Sequence, residues 1–532
     1  MPKFKHHDFP PLPAEASSRR SKRLKGKKEK QATGLLNPHN YATIDDLPDE
    51  LILEILRYIP GIDLEDFQLA TLLSLSTTNH RLHHLVTEKL YASYNSFFCE
   101  PYLFLRTVIT NPHLAEFVQN ANITYGKFAH CERERYMPTA QDKKIIKDGL
   151  KALGISDWKT WATDCNARHA ELDTLHTAVL MYTPKLKDLS TNHGTTYDDV
   201  SNHNPKWIKV LKKINFDTAS SQVHKFEHLQ RIQIEVGDST LMELAPVFRT
   251  PTLCALTMKG LLEYDPSDTE ELQKRLPAQC NDIEQLDLIS SFIHPEMLAV
   301  LLASPRGLRR LRYDVSLEEL YQRLYGDEEA YADSMRRPTV LENVARQRRT
   351  LEHFSFSCDR DSEALFQRCF NLFEGLRNFM SLTSLCCPLG AIANANQVVS
   401  SAPLAQKLPP SLVNLELCIF RYSDNNHDVE ALPSLAEMAS MFATYVPNLK
   451  TILVHVEAPG TWLDYDWATL VEPFSLLGVE LVVEVGEDGE DDGFSEEYES
   501  GPRVGFIDVE DLDVLDEEDS SRDSDEVSLY SN

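Results

Sequence analysis

The chain has 532 residues, 42% of them hydrophobic and 25% charged, which is enough apolar material for two or three domains, or for one repeat array with a smaller domain. Its formal net charge of −29 argues against nucleic-acid binding by the folded surface, because phosphate attraction needs clustered positive charge. Ten cysteines without a Cys-x-x-Cys pair or a secretory signal indicate reduced thiols, and the absence of any apolar run near roughly eighteen residues predicts no membrane association.

Residues 1–40 are rich in proline, serine and basic residues and lack periodicity, so they are predicted to be a disordered basic arm. A dense basic run lies within this arm and consists of Arg19, Arg20, Lys22, Arg23, Lys25, Lys27 and Lys28. Such a run can be a nuclear localisation signal, a nucleic-acid-binding arm or simply a solvated tail. The expected location is therefore the nucleus, the cytoplasm or both.

Residues 41–96 have the pattern of three short helices. Pro48 and the acidic residues around it predict a helix that starts near Leu47, because the first helical turn tolerates proline and favours negative charge. This helix carries one apolar stripe, formed by Leu51, Ile52, Ile55, Leu56 and Ile59. After Pro60-Gly61, Asp63 can cap a second helix, and a third is expected to run through Leu82 to Tyr94.

Three short helices in about fifty residues cannot close a substantial core alone, so some of their apolar surface needs a partner or a neighbouring domain. The segments Leu47-Pro-Asp-Glu-Leu51 and Asn79-His-Arg-Leu82 resemble an F-box. This resemblance implies docking onto the Skp-type adaptor of cullin–RING ubiquitin ligases. The residues that it implies as adaptor contacts are Leu47, Pro48, Leu51, Ile52, Ile55, Leu56, Ile59, Leu64, Leu75 and Leu82. The alternative is an ordinary amphipathic helix pair inside a larger core.

Residues 97–485 alternate between helical and extended patterns. A helical stretch at 102–109 precedes a short strand near Ile123, and residues 127–164 are again helical. A unit of apolar-x-x-apolar-x-apolar then recurs, with starts at Leu186, Leu229, Leu253, Ile283, Leu308, Leu351, Leu382, Leu412 and Leu449, and residues 479–485 form a last strand. Helical patterns separate the units at 295–302, 362–373 and 435–442, whereas residues 190–206 are predicted to be a polar loop.

This alternation predicts an α/β fold and resembles a degenerate leucine-rich-repeat array of the kind that often follows an F-box. Each unit can bury its strand only against its neighbours, so the expected structure is a solenoid with one curved parallel sheet of about ten strands and helices outside. Its exposed face would bind a protein target of unknown identity. A compact mixed α/β domain is the alternative fold.

Residues 486–532 carry nineteen acidic and two basic residues and are predicted to be a disordered acidic tail. No glycine-rich phosphate loop and no His-Glu-x-x-His motif occur in the chain. His224 and His228 have the spacing of two helical metal ligands but lack a third nearby, and His80, His83 and His84 are expected to be solvated. We therefore expect neither an enzyme nor a metal or cofactor site.

The expected function is substrate recognition in an SCF-type ubiquitin ligase, in which the F-box docks the adaptor and through it a cullin, while the repeat region binds the target. The first alternative is an interaction scaffold that does not direct ubiquitination. The second is a nucleic-acid binder acting through the basic arm, which the acidic body of the chain disfavours.

Overall fold

The computed structural model describes thirteen stretches of the chain. They are residues 44, 47–59, 65–125, 136–168, 170–193, 205–216, 226–237, 239–315, 340–358, 375–393, 403–419, 427–456 and 467–485. Several expectations therefore lie outside the described residues, namely the basic run, the acidic tail, Leu64, the cap at Asp63, His224 and the helical pattern at 362–373.

The chain divides into two compact units, residues 1–90 and 91–532. The helices described in the first unit are α1 (Asp49–Arg57), α2 (Glu65–Ser76) and α3 (His80–Leu90). They enclose a small core of buried side chains, formed by Ile52, Leu56, Leu72, Leu82 and Val86. This arrangement matches the three-helix organisation expected of the segment.

The second unit alternates strands and helices. Its described strands are β1 (Ser93–Asn95), β2 (Asn120–Tyr125), β3 (Asp188–His193), β4 (Arg231–Glu235), β5 (Ala255–Lys259), β6 (Leu262–Glu263), β7 (Gln285–Ile289), β8 (Phe292–Ile293), β9 (Arg310–Val315), β10 (His353–Cys358), β11 (Ser384–Pro388), β12 (Asn414–Ile419), β13 (Thr451–Val456) and β14 (Glu480–Val485). Its described α-helices are α4 (Pro101–Thr110), α5 (Pro112–Ala115), α6 (Ala140–Ala152), α7 (Trp158–Asn166), α8 (Leu172–Tyr182), α9 (Lys206–Phe216), α10 (Leu241–Phe248), α11 (Thr269–Arg275), α12 (Pro295–Ala303), α13 (Val340–Val344), α14 (Leu389–Ala393), α15 (Leu404–Lys407), α16 (His427–Tyr445) and α17 (Trp467–Leu476).

Among the described residues, twelve strands form one sheet in the order β1-β2-β3-β4-β5-β7-β9-β10-β11-β12-β13-β14, and the short β6 and β8 pair separately. Every pairing between neighbours is parallel. Each strand thus lies beside the one that precedes it in the chain, apart from the small β6–β8 pair. The predicted α/β fold with a large parallel sheet and helices is confirmed.

The repeated apolar pattern fixes which face of each strand is buried. In the β9 unit, Leu308 is buried two residues before the strand, and Leu311 and Tyr313 point into the core. Arg310 and Arg312 alternate with them on the other face and remain at least partly exposed. The inward side chains of the strands join those of the helices in one hydrophobic core, as period-two burial requires.

Two segments differ from the prediction. Residues 190–193 belong to β3 rather than to a loop, since their backbone pairs with β2 and β4. The partly exposed Ser190 and Asn192 alternate with the buried Leu189 and Thr191. The third helix ends at Leu90, because Ser93–Asn95 pair with β2 as a strand. Tyr94 is buried there, and a hydrogen bond of 2.8 Å joins its hydroxyl to His176 Nδ1.

A buried carboxylate stabilises the start of α6. Asp142 accepts hydrogen bonds from the backbone N–H and the hydroxyl of Thr139, at 3.0 and 2.7 Å, and from Tyr136 at 2.7 Å. Its other oxygen accepts from Arg106 at 3.0 Å. Burial alone raises the pKa of Asp142, but these hydrogen bonds outweigh burial and lower that pKa to about 2.

We expect Asp142→Asn to lower the free energy of unfolding by roughly 1 to 2 kcal/mol at pH 7. The pKa is lower in the folded than in the unfolded chain, so this contribution is complete above about pH 4 and is lost as the pH falls towards 2. Urea unfolding at a series of pH values measures this loss of unfolding free energy, and Asp148→Asn at an exposed position of the same helix is the control. A loss of equal size at pH 7 and pH 2.5 would contradict the assignment.

Within the described stretches, no helix is both long enough and apolar enough to cross a membrane. Nor does that part of the chain bring together three histidine, cysteine, aspartate or glutamate side chains in an arrangement that could hold a metal ion.

Candidate functional site

The first helix begins directly after Pro48. This proline has extended dihedral angles (φ −55°, ψ 151°), and its carbonyl oxygen accepts the backbone N–H groups of Leu51 and Ile52 at 3.1 and 3.2 Å. Asp49 and Glu50 follow in the first turn, where negative charge is favourable. The helix therefore starts two residues after the predicted position, with the proline just outside it.

An arginine from the third helix holds this helix start in place. Arg81 Nε donates to Asp49 Oδ1 at 2.7 Å, and a terminal nitrogen of Arg81 donates to the carbonyl oxygen of Leu47 at 2.5 Å. Asn79 orients the third helix, because its side-chain oxygen accepts the backbone N–H of Leu82 at 2.8 Å. The guanidinium group of Arg81 thus joins the segment 47–51 to the segment 79–82, although Asp49 and Arg81 are 32 residues apart in the sequence.

We expect Arg81→Ala to lower the free energy of unfolding of the first unit by about 1 to 2 kcal/mol. Asp49 is half-exposed, so the ion pair contributes little, and most of the loss comes from the bond to the Leu47 carbonyl. Thermal or urea unfolding of the chain, with hydrogen exchange of residues 47–90 as the readout for the first unit, measures the change. His84→Ala, exposed on the same helix, is the control, and an equal effect of both substitutions would refute the role of the arginine.

Helix α1 carries two adjacent apolar stripes. The inner stripe consists of Ile52 and Leu56, which are 2% and 4% exposed in the core. The outer stripe consists of Leu51 and Ile55 of the helix and of Tyr58, the residue directly after its last turn, and these side chains are 51%, 48% and 79% exposed. Their spacing of four and three residues places them on one helix face. Large exposed apolar side chains that share one face are typical of a protein-binding surface.

Nine of the ten residues predicted as adaptor contacts belong to the described part of the chain, which leaves out Leu64, and they fall into three groups. Ile52, Leu56 and Leu82 are buried in the core of the unit, and Leu47, Ile59 and Leu75 pack partly buried against it. Pro48, Leu51 and Ile55 are exposed. Only the exposed residues can contact a partner without repacking, so the buried residues would act by supporting the helix.

Three further exposed apolar residues were missed by the sequence reasoning. Tyr58 belongs to the outer stripe, and Ile44 and Leu73 are 46% and 36% exposed elsewhere in the same unit. The signal for Tyr58 is its spacing, since it follows Leu51 by seven residues and Ile55 by three.

A second candidate surface is the outward face of the large sheet. Its central row contains one residue from each strand, in register, mostly small and polar: Asn95, Asn122, Ser190, Gln233, Thr257, Asp287, Arg312, Ser355, Cys386, Glu416, Leu453 and Val482. All of them are at least partly exposed. Eleven strand spacings of ~4.8 Å make this row roughly 50 Å long, which is enough for an extended protein segment.

Charged groups on this face are paired across strands. Arg310 Nε lies 3.6 Å from Asp287 Oδ1, and burial raises the pKa of that carboxyl although the arginines nearby oppose the shift. Among β12, β13 and β14, His455 lies between Glu416 and Glu484, with nitrogen–oxygen distances of 3.0 and 3.1 Å. The face can therefore make hydrogen bonds and ion pairs as well as apolar contacts with a partner.

Comparison with protein families finds an F-box domain at residues 44–91. F-box domains bind Skp-type adaptors within SCF complexes, and proteins that contain them are generally adaptors rather than enzymes. No curated protein matches the chain. The family match ends at residue 91, so the leucine-rich-repeat character of the sheet stays a prediction.

Proposed function

We propose that this chain, which carries an F-box domain at residues 44–91, is the substrate-recognition subunit of an SCF-type ubiquitin ligase. The observation that carries the proposal is the outer stripe of α1. Leu51, Ile55 and Tyr58 stay exposed while the inner stripe completes the core of the unit. The helix can thus give its outer face to the Skp-type adaptor without unfolding.

The size of the stripe fits a docking role. Burying a large apolar side chain completely contributes about 1.5 to 3 kcal/mol, and these three side chains are already partly covered. Their further burial would contribute roughly 3 to 5 kcal/mol, a substantial share of a micromolar interaction once the costs of association are counted. Leu73 of α2 is a further exposed apolar side chain in the same unit.

The outward face of the sheet is the proposed target-binding surface. It is long and polar, and its charged groups are positioned in register by the strands. A protein held there would be kept near the ubiquitin-conjugating enzyme carried by the cullin. The chain would raise the rate of transfer by proximity, with no catalytic side chain of its own.

Reconstitution tests this function. The full chain is co-expressed with a Skp-type adaptor, purified, and combined with a cullin–RING module, ubiquitin and the proteins that the chain captures. We expect a stoichiometric adaptor complex and ubiquitin chains on a captured protein only when the chain is present. An adaptor complex that transfers no ubiquitin would favour the scaffold alternative, and absence of adaptor binding by the folded chain would refute both.

A further inference from the structure

A cluster of arginines marks one edge of the otherwise acidic second unit. Arg306 and Arg309 precede β9, and Arg346, Arg348 and Arg349 precede β10. Because β9 and β10 are parallel neighbours, the turns that lead into them lie side by side at the end of the sheet where these strands begin. We call these five residues the arginine rim.

A buried glutamine fixes the geometry of the rim. Gln347, which is 7% exposed, donates its side-chain amide to the carbonyl oxygens of Leu302 and Pro305, at 2.8 and 3.2 Å. Its side-chain oxygen accepts the backbone N–H of Leu308 at 3.2 Å. The turn that carries Arg346, Arg348 and Arg349 is thereby tied to the turn that carries Arg306, so the positive charges are held together before any ligand binds.

The rim borders a surface depression of about 450 Å³. Arg306, Arg309 and Arg349 line it together with the acidic residues Asp282, Glu284 and Glu352. Arg306 pairs with Asp282 at 2.5 Å, and Arg309 pairs with Glu352 at 3.2 Å. Within the described residues no acidic side chain lies within ion-pair distance of Arg346, Arg348 or Arg349, which are exposed. The rim therefore has positive charge left for an acidic ligand.

The acidic tail of the same chain has the complementary charge. Residues 486–532 carry nineteen acidic and two basic residues, and residues 508–519 contain eight acidic residues interleaved with valine and leucine. A ligand on the same chain also has an advantage over a free one, because a tether supplies an effective concentration of the order of millimolar.

The distance between the rim and the tail allows this contact. β14, where the tail begins, lies five strand spacings from β9, or roughly 24 Å at ~4.8 Å each. The rim is at the opposite ends of the strands, which adds about 20 to 25 Å. The 23 residues from Val485 to Asp508 span up to ~75 Å when extended, which is more than the distance to the rim. The acidic residues at 487–492 follow β14 too closely in the chain to reach the rim.

We propose that residues 508–519 bind the arginine rim of the same chain. The tail then covers the exposed guanidinium groups, and an acidic segment of any other protein must displace a tethered competitor to reach them. The inference goes beyond adaptor docking and does not depend on it, since every residue involved belongs to the second unit.

Competition with a peptide tests the proposal in the full chain. A fluorescent peptide of residues 506–521 is titrated by anisotropy into the native chain and into a chain whose eight acidic residues at 508–519 are replaced by asparagine or glutamine. We expect the neutralised chain to bind the peptide at least about tenfold more tightly, because its own tail no longer competes. This difference should shrink strongly between 50 mM and 500 mM salt.

Charge reversals in the neutralised chain locate the binding surface. R348E with R349E should abolish peptide binding, whereas K209E with K212E, an equal charge change on the exposed side of α9, should leave it nearly intact. Equal peptide affinities of the native and neutralised chains, absence of peptide binding, or equal effects of the two reversals would each overturn the proposal.

A cross-link tests contact within one chain directly. The full-length R349K chain is treated with a carbodiimide, which joins a lysine amine to a neighbouring carboxylate, and the products are identified by mass spectrometry in a mixture of light and heavy isotope-labelled chains. We expect links from position 349 to residues 508–519 within the same chain. Links between chains, or none to the tail while other lysines react, would refute the intramolecular contact.

Discussion

A chain carrying Leu51→Glu and Ile55→Glu should lose the Skp-type adaptor almost completely, with at least a hundredfold weaker binding. The two substitutions put negative charges at the centre of the outer stripe, and burying an unpaired carboxylate against a partner costs several kcal/mol. Both positions are about half-exposed, so the helix should keep its fold. Co-purification and calorimetric titration with the adaptor measure the effect.

Lys89→Glu is the matched control for this double variant. It changes the net charge of the same unit by the same two units, on an exposed position of α3 that lies outside the stripe. Its adaptor affinity should stay within about threefold of the native value, since charges at the periphery of a protein interface mainly change association rates. Similar losses in the double variant and the control would mean that overall charge, and not the stripe, governs docking. Tyr58→Ala should give an intermediate loss.

Phe354→Ala should lower the free energy of unfolding of the second unit by about 3 to 5 kcal/mol. Phe354 lies in β10 near the middle of the sheet, is 2% exposed and belongs to the continuous core. Removal of its ring leaves a cavity that rigid neighbouring strands cannot fill. Denaturant unfolding followed by near-ultraviolet circular dichroism measures the loss.

The next residue along the same strand supplies the control for that experiment. Ser355 points to the outward face, so Ser355→Ala should change stability by less than about 0.5 kcal/mol. A small loss at Phe354, or a comparable loss at Ser355, would contradict the assignment of the two faces. A stable Ser355→Ala chain with weaker capture of a target would support the proposed target-binding surface.

The strands of the large sheet from β4 onward could be predicted because their burial follows a short-range rule, whereas the two-residue strands β6 and β8 were not predicted. In the units that start at Leu229, Leu308 and Leu412, the first apolar residue is buried two residues before the strand, and the next two point into the core. The pattern depends only on the alternation of side chains along a strand. The irregular spacing between units did not weaken this prediction, because the additional residues lie in the connections between strands and not in the strands themselves.

The segments that were predicted wrongly have side chains that obscure this rule. Residues 190–193 are polar, yet β3 continues through them because Thr191 fills the inward position that an aliphatic residue usually takes. Tyr94 follows a helical pattern in sequence, but its ring is buried under the sheet and its backbone pairs with β2. Both outcomes depend on pairing with distant strands, which local sequence does not contain.

The candidate docking site was only partly predictable for a related reason. The leucine–proline motif indicated where the helix begins and that it is apolar. It could not show which apolar residues face the core, because Leu51 and Ile52 are adjacent, as are Ile55 and Leu56. Packing against α3 decides this: Ile52 and Leu56 turn inward, and the remaining residues form the outer stripe with Tyr58.

The consecutive order of the parallel strands has a consequence for biosynthesis. Neighbouring strands of the large sheet follow each other in the chain, apart from the short β6 and β8, and paired residues are 24 to 43 positions apart except between β2 and β3, where they are 68 apart. Most pairings therefore close a short loop. The sheet can therefore grow from β1 during translation, as each strand leaves the ribosome and adds to the edge left by the one before. Until β14, the last of the described strands, covers β13, the nascent chain carries an open edge. Synthesis of β14, with its exposed Glu480 and Glu484, replaces that edge with a charged one that resists pairing with other chains.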